Sequence, residues 1–297
     1  MRTAFINQLI KEAREDDKIF LIVGDLGFSV VEPYVAEFPD QFLNAGISEQ
    51  NMAGLAAGMA MEGYKVFIYS IANFPTLRCM EQIRYDICYH NLDVKIVAVG
   101  AGYSYGPLGP SHHATEEMGM LRIIPNLSVL SPADPIETKI LVSHLCKKSG
   151  PAYLRLGKAG EKQVHADDLT FNWSDIIEVI KGNEIAVLTT GSILTYCKEF
   201  IESNNNGWGL YSIPFIKPVN LDGFATIFNK YKNIISIEEH QKTGGLGSLL
   251  LESANTLKNK GSILTFPNID IRGIDDEFYS KAGSQNFLRT IMKLTLK

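Results

Sequence analysis

Short apolar runs alternate along the chain with longer stretches in which apolar residues recur at helical spacing. The run at 19–23 is apolar throughout, and further strand-length runs follow at 65–69, 94–99, 128–130 and 151–156. Apolar runs of this length that alternate with helical patterns are typical of parallel strands joined by helices. The pattern predicts an α/β fold in which helices cover both faces of a parallel sheet.

The stretch 161–183 interrupts this alternation because it is polar and irregular. A second alternation of strands and helices begins at 184 and continues to the end of the chain. A chain of 297 residues is long enough for two domains. We therefore predict two parallel-sheet α/β domains, at 1–175 and 183–297, with a linker between them.

Composition excludes several classes of protein. Hydrophobic residues make up 45% of the chain and charged residues 21%, which is typical of a globular protein. The net charge of −5 argues against a nucleic-acid partner. The longest apolar runs, such as 96–102, are far shorter than the roughly 20 residues that span a bilayer, and the N-terminus lacks the apolar core of a signal peptide. We expect no membrane association and a cytoplasmic location.

The four cysteines are scattered without the CxxC spacing of zinc sites, so we expect free thiols rather than a metal site or a disulfide framework. The adjacent pair His112-His113 follows Gly109-Pro110-Ser111, and the chain contains no HxH or HExxH motif. Two adjacent histidines do not both face one pocket from a strand. We expect one of them at the mouth of an active site and the other in the interior.

Ligands of open parallel sheets bind at the carboxyl ends of strands, so polar residues that follow strands are the first candidates for a site. The segment Gly244-Gly245-Leu246-Gly247 lacks the full pattern of a phosphate-binding loop, which favours a structural role at the start of a helix. The candidates are Asp25, Ser29, Glu49, Ser70, Asn73, Tyr103 and His112.

Glu49 begins a predicted helix, 49–62, that is rich in alanine, glycine and methionine. Because this helix is apolar on every face, we expect it to be buried, including its first turn. A carboxylate at that position could cap the helix and interact with its dipole. It could equally be a buried acid that exchanges protons during a reaction. The pattern alone leaves both interpretations open.

The segment 44–52, Asn-Ala-Gly-Ile-Ser-Glu-Gln-Asn-Met, resembles the Gly-Ile-x-Glu-Gln-Asn-Met segment of transketolases. Deoxyxylulose phosphate synthases and the β subunits of oxo-acid dehydrogenases are related to that family and share the glutamate. Further short segments resemble the family and follow in the family's order. They are Glu81-Gln-Ile-Arg84, Gly109-Pro-Ser-His112, Ile124-Pro-Asn126, Ser131-Pro-Ala-Asp134, Pro214-Phe215, Lys217-Pro218, Glu238-Glu-His240 and Gly244-Gly-Leu-Gly247. Together these segments resemble the pyrimidine-binding and C-terminal domains of a transketolase over nearly the full chain.

The resemblance implies a thiamine diphosphate enzyme in which Glu49 hydrogen-bonds the aminopyrimidine ring of the cofactor and so activates it. The chain has no Gly-Asp-Gly motif, the motif with which this family holds the diphosphate and its metal ion. The resemblance therefore implies that this chain binds no metal itself. A partner, the N-terminal transketolase subunit, would hold the Mg²⁺ or Ca²⁺ ion, and an α2β2 assembly would share the cofactors at its interfaces.

The resemblance also implies roles for further residues. An aromatic ring normally stacks on the pyrimidine, and Phe74 and Tyr69 are the candidates. The sugar and its phosphate would contact residues at several matching positions. In this reading His112 transfers a proton or stabilises an oxyanion, and the substrate-binding residues are His112, Ser29, Lys158 and Arg2.

The expected activity is the transfer of a two-carbon ketol unit between a ketose and an aldose, as free or phosphorylated sugars. Leu108 lies at the position where transketolases have an acidic residue that binds a hydroxyl of the acceptor sugar. The loss of that acid favours an unusual sugar as substrate, for example a branched, deoxy or nucleotide-linked one. The alternative is a β-type subunit of another thiamine diphosphate enzyme that acts on a 2-oxo acid. A non-enzymatic relic is disfavoured because Glu49 and His112 are both present.

Overall fold

The computed structural model describes residues 1–296, which form two mostly parallel β-sheets with helices packed on their faces. The strands of the first sheet are β1 Ile19–Val23, β2 Phe42–Asn44, β3 Lys65–Ile71, β4 Val94–Val99, β5 Ser128–Leu130, β6 Ala152–Leu156 and β10 Phe215–Lys217. They lie in the order β10-β5-β6-β4-β3-β1-β2. The predicted α/β class with two sheets is confirmed.

The second sheet has five strands, which are β7 Ile177–Ile180, β8 Ile185–Thr189, β9 Gly209–Ser212, β11 Asn233–Gln241 and β12 Asn268–Ile274. They lie in the order β12-β11-β8-β9-β7. The sheet begins at Ile177, within the stretch that the sequence pattern assigns to a linker. Strand β7 is a short antiparallel edge strand with a single buried residue, so it shows no apolar run.

Strand β10 joins the first sheet from the far part of the chain. It pairs antiparallel with β5, whereas the other neighbours in this sheet pair in parallel. Because β10 follows β9 of the second sheet in sequence, the two sheets share a connection at this edge. Local hydrophobic patterning predicts a strand but not the sheet to which it belongs.

Helices cover the faces of the sheets, as a mostly parallel arrangement requires. They are α1 Arg2–Glu15, α2 Glu32–Glu37, α3 Glu49–Met61, α4 Glu117–Arg122, α5 Pro135–Lys147, α6 Ile193–Asn204, α7 Leu221–Lys230, α8 Leu246–Asn259 and α9 Gln285–Ile291. On the first sheet, α1 and α5 pack against each other on one face, and α3 lies on the opposite face. None of the helices in residues 1–296 combines the length and apolar character needed to cross a bilayer.

Helix α3 is buried on one face only, although its composition predicts burial all round. Met52, Ala53 and Ala56 pack under the sheet, next to Ile22 and Ile68. The opposite face is also made of small and apolar residues, and it is exposed in residues 1–296. We call it the open face of α3, and it consists of Gly54, Leu55, Gly58 and Met61.

The chain between β3 and β4 does not form one regular α-helix, although the spacing of its apolar residues predicts a helix over about 76–90. A short 3₁₀ turn at Leu77–Cys79 precedes a π-helical segment at Gln82–Tyr89. Segments of π-helix are uncommon and occur frequently near functional sites. Here the break places the side chain of Arg78 over the start of α3.

Candidate functional site

Glu49 lies at the first turn of α3, next to the carboxyl ends of β1 and β3. Its side chain is only 1% exposed. One carboxylate oxygen, Oε1, accepts a hydrogen bond from Ser70 Oγ at 3.1 Å. The other, Oε2, forms an ion pair with Arg78 Nη1 at 2.7 Å. Within the described chain the carboxylate bonds to no N–H group of its own helix, so Glu49 does not act as a helix cap.

The pleat of β3 decides which of its side chains reaches Glu49. Successive residues of a strand face opposite sides of a sheet. Ser70 therefore faces α3 and Glu49, and Tyr69 faces α1. Tyr69 is 2% exposed and its ring stacks on Phe5, with centroids 5.8 Å apart. Tyr69 therefore lies in the core beside Phe5 and not at the candidate site, which leaves Phe74 as the candidate for the stacking ring.

Phe74 and His112 lie on the outer side of Arg78. The Arg78 guanidinium carbon is 4.5 Å from the centre of the Phe74 ring, a distance typical of a cation–π contact. The His112 ring meets Phe74 edge-on, with centroids 5.5 Å apart. A continuous path of contacts thus joins the buried carboxylate to the half-buried histidine. We call these residues the Glu49 cluster, and they are Glu49, Ser70, Phe74, Arg78 and His112.

Arg78 is the member of this cluster that the sequence analysis missed. It lies 29 residues from Glu49 in the chain, and no periodic pattern links the two positions. Its side chain is 46% exposed, so it closes the outer side of a carboxylate that is otherwise buried. A single arginine in a turn carries no signal of this kind in one sequence.

The two adjacent histidines have different surroundings. His112 is half-buried, and its Nδ1 lies 3.0 Å from Ser111 Oγ. His113 is 6% exposed, and its ring meets that of Tyr103 edge-on. Burial lowers the pKa of His113. Asn73 Nδ2 donates to the backbone oxygen of His113 at 2.6 Å, which ties this part of the chain to the end of β3.

The residues expected to hold a sugar phosphate lie outside the Glu49 cluster. The amino terminus of Met1 donates to the backbone oxygen of Lys158 at 3.3 Å, so Arg2 and Lys158 lie near each other. Ser29 is exposed, with a φ of 63°, and its backbone N–H donates to Glu32 Oε1 at 2.7 Å. No hydrogen bond or ion pair in residues 1–296 joins these three residues to the cluster.

The cluster fits one half of thiamine diphosphate. A buried carboxylate can accept a hydrogen bond from a protonated ring nitrogen, and Phe74 offers a flat ring on the outer side of Arg78. Gly24, at the end of β1, keeps the space next to the carboxylate open, because a Cβ there would lie 3.5 Å from Glu49 Oε1. Residues 1–296 contain no group of three or more metal-ligating side chains. The residues present thus fit the aminopyrimidine and offer no set of ligands for the metal of the diphosphate.

Two family models match the chain. The model of the pyrimidine-binding domain of transketolase covers residues 1–160, and the model of the transketolase C-terminal domain covers 176–285. These ranges correspond to the first and the second sheet, except that β10, which pairs with the first sheet, lies within the second range.

Several known proteins are similar over most of this chain. One subunit of the apulose-4-phosphate transketolase from Actinobacillus succinogenes is 30% identical over 92% of this chain and 87% of its own length. The corresponding subunit from Phocaeicola vulgatus is 29% identical over 95% and 92%. A solved structure described as a split gene transketolase, inactive beta4 tetramer, superposes with a TM-score of 0.84 at 28% identity, over 99% of this chain and 93% of that chain.

A related enzyme class matches with lower coverage. The 1-deoxy-D-xylulose-5-phosphate synthase of Clostridium perfringens is 28% identical over 89% of this chain but only 43% of its own length. The two family models together span both sheets. The matches to the two apulose-4-phosphate transketolase subunits cover 92% and 95% of this chain and 87% and 92% of those subunits. The chain belongs to the transketolase family of thiamine diphosphate-dependent enzymes, as a split subunit that carries the pyrimidine-binding and C-terminal domains.

Proposed function

We propose that this chain is the pyrimidine-site subunit of a two-chain transketolase, which moves a two-carbon ketol unit from a ketose phosphate to an aldose. The observation that carries the proposal is the buried carboxylate of Glu49, held between Ser70 and Arg78 beside an aromatic ring. A solvent-excluded carboxylate with both oxygens held in fixed positions is suited to proton exchange with a heterocycle.

Thiamine diphosphate, when bound, supplies the electron sink for breaking and forming the carbon–carbon bond. Glu49 would accept the hydrogen bond from the aminopyrimidine nitrogen and hold a proton at that atom. Ser70 and Arg78 fix the plane of the carboxylate, since each holds one of its oxygens. Phe74 would supply a surface on which the pyrimidine ring stacks.

His112 is proposed to contact the sugar substrate. It is half-buried at the outer end of the cluster, where it can donate to a substrate oxygen or move a proton there. Arg2 and Lys158 form a basic corner that suits a sugar phosphate, and the exposed Ser29 would add its hydroxyl as a donor. Lys158 would bind phosphate as a point charge, because lysine lacks the planar fork of arginine.

A partner chain is proposed to cover the open face of α3. Leu55 and Met61 are 38% and 57% exposed on that face, and two glycines there allow close approach of another helix. The solved relative is described as an inactive beta4 tetramer. We infer that the N-terminal transketolase subunit docks here in an α2β2 assembly and brings the diphosphate site with its Mg²⁺ or Ca²⁺ ion.

The substrate is proposed to be a branched ketose phosphate of the apulose 4-phosphate class. Two similar transketolase subunits carry that substrate in their names. Leu108 supports the assignment, because it is 56% exposed four residues before His112 and offers no hydrogen bond to an acceptor hydroxyl. An apolar side chain there suits a sugar that lacks the hydroxyl read by other transketolases.

A cytoplasmic location is proposed with this function. All four cysteines are buried free thiols, as is usual in a reducing compartment. Burial raises the pKa of Cys79, Cys88 and Cys146 to about 12, which keeps these thiols unreactive.

The 2-oxo acid reaction of the synthases is the second candidate, favoured by the similarity to deoxyxylulose phosphate synthase. The test is to assemble this chain with an N-terminal transketolase subunit that carries the Gly-Asp-Gly motif. The assembly is assayed with apulose 4-phosphate and an aldose phosphate, and separately with pyruvate and an aldose phosphate. We expect turnover in the first assay only. Turnover only in the assay with pyruvate and an aldose phosphate would assign the synthase reaction instead.

The role of Glu49 is tested in the same assembly. Glu49→Gln should abolish turnover and leave the assembly intact in gel filtration, because it removes the carboxylate that exchanges a proton with the ring nitrogen and keeps the shape of the side chain. Glu62→Gln is the matched control, an exposed glutamate at the other end of α3. Normal turnover in Glu49→Gln would refute the assignment of the site.

A further inference from the structure

Residues 102–115, which we call the His112 loop, rest on the second domain although that domain supplies no side chain to the Glu49 cluster. Gly102 and Ala114 pair across the base of the loop. The backbone N–H of Gln241, at the end of β11, donates to the Thr115 oxygen at 2.8 Å. Gly102 packs so tightly on Glu239 that an added Cβ would overlap it. Both ends of the loop therefore lie against β11.

Arg155 is the side chain that holds this junction together. It lies on β6 of the first sheet and is 2% exposed. Its Nη2 donates to the backbone oxygen of Ala114 at 2.7 Å and to that of Glu239 at 3.0 Å. One guanidinium thus binds the end of the His112 loop and the strand of the second domain at the same time.

Glu117, at the start of α4, fixes the orientation of Arg155. It is fully buried, and its Oε1 accepts from Arg155 Nε at 2.5 Å and from Tyr153 O–H at 3.1 Å. Burial alone would raise the pKa of Glu117, but the charge of Arg155 outweighs burial and lowers that pKa. Burial alone would lower the pKa of Arg155, but the neighbouring charge of Glu117 outweighs burial and raises that pKa. Both groups stay charged.

We propose that Arg155 is a positioning residue through which the second domain sets the place of His112. Ala114, which Arg155 binds, comes two residues after His112, and Asn73 binds the intervening His113 from the other side. The two carbonyls that follow His112 are therefore held by Asn73, just after β3, and by Arg155 on β6, which also binds β11. The inference rests on the proposed role of His112 in the reaction.

A purely structural role predicts different behaviour. Removal of one member of a buried ion pair leaves an uncompensated charge and destabilises a protein strongly, whereas replacement of both members often leaves stability nearly unchanged. The paired change Arg155→Met with Glu117→Gln therefore removes the clamp on Ala114 without a buried lone charge. Arg155→Lys is a second variant, because lysine keeps the charge facing Glu117 but lacks the fork that reaches two carbonyls.

The experiment uses the assembled enzyme and measures kcat, KM and the urea midpoint of each variant. We expect kcat to fall on the order of 10–100-fold, with KM changed less than about threefold, because a displaced catalytic group affects turnover more than uniform binding. The control is Lys95→Met with Asp93→Asn, an ion pair on the amino side of β4 in which the lysine is buried and the aspartate is half-buried. It should leave kcat unchanged.

A second measurement is independent of turnover. The ring signals of His112 in the full chain, assigned with His112→Gln, should shift or broaden in both Arg155 variants and stay in place in the control. Wild-type kcat together with unchanged His112 signals, in either Arg155 variant that folds, would overturn the proposal. An inactive wild-type assembly would instead contradict the proposed function, and the His112 signals would still decide the positioning role.

Discussion

The ion pair between Glu49 and Arg78 should stabilise the free chain far more than an ordinary surface ion pair. Loss of one partner of a fully buried pair costs about 3–5 kcal/mol, and exposed pairs contribute about 0–1 kcal/mol. Glu49 is 1% exposed and Arg78 is 46% exposed, so water reaches one partner only. We expect Arg78→Met to lower the free energy of unfolding by about 1–2 kcal/mol, between these limits.

The chain offers a control pair of the same two residue types, bound by two hydrogen bonds instead of one. Arg14 Nε lies 2.6 Å from Glu37 Oε1, and a second bond joins the same two groups. Their side chains are 54% and 37% exposed, so water screens both charges. Arg14→Met should therefore lower the free energy of unfolding much less than Arg78→Met does, despite the shorter distance.

The assay is urea unfolding of the free chain, completed as a double-mutant cycle for each pair. The variants are Arg78→Met, Glu49→Gln and their combination, and Arg14→Met, Glu37→Gln and theirs. The coupling energy should reach about 1–2 kcal/mol for the first pair. For the second pair the effects of the two single substitutions should simply add. Equal coupling energies in the two pairs would refute the argument that burial of Glu49 gives its ion pair its strength.

Buried residues outside the cluster lead to two further predictions. Tyr69 fills the core beside Phe5, so Tyr69→Ala should destabilise the free chain by about 3–5 kcal/mol in urea unfolding. Tyr69→Phe should leave turnover of the assembled enzyme unchanged, and loss of turnover in that variant would contradict the assignment of Tyr69 to the core. Burial lowers the pKa of His165, but its contact with Glu137 at 2.7 Å outweighs burial and raises that pKa overall. Its contribution to stability is therefore full below the unfolded value of about 6.5 and is lost as pH rises through the higher folded pKa, so unfolding between pH 6 and 8 should depend on pH more steeply in the wild type than in His165→Gln. Parallel pH curves would disprove that assignment.

The spacing of apolar residues was sufficient for the two α/β domains and for the position of α3, because strand and helix periods are local properties of a chain. The prediction from this local signal was wrong for α3, whose apolar composition predicts burial on every face. Half of that helix is exposed in residues 1–296, because Gly54 and Leu55 face away from the sheet. The pattern also missed β7, since an edge strand with one buried residue has no apolar run.

The sequence by itself determined the class of the fold, the family and the carboxylate at the head of α3, all of which depend on residues close together in the chain. Only the tertiary structure decided what surrounds that carboxylate. Arg78 reaches Glu49 across 29 residues, and Arg155 reaches Glu239 across 84. The pleat of β3 turned Ser70 toward the site and Tyr69 away from it. Contacts of this kind depend on how sheets and loops pack, which no local period encodes.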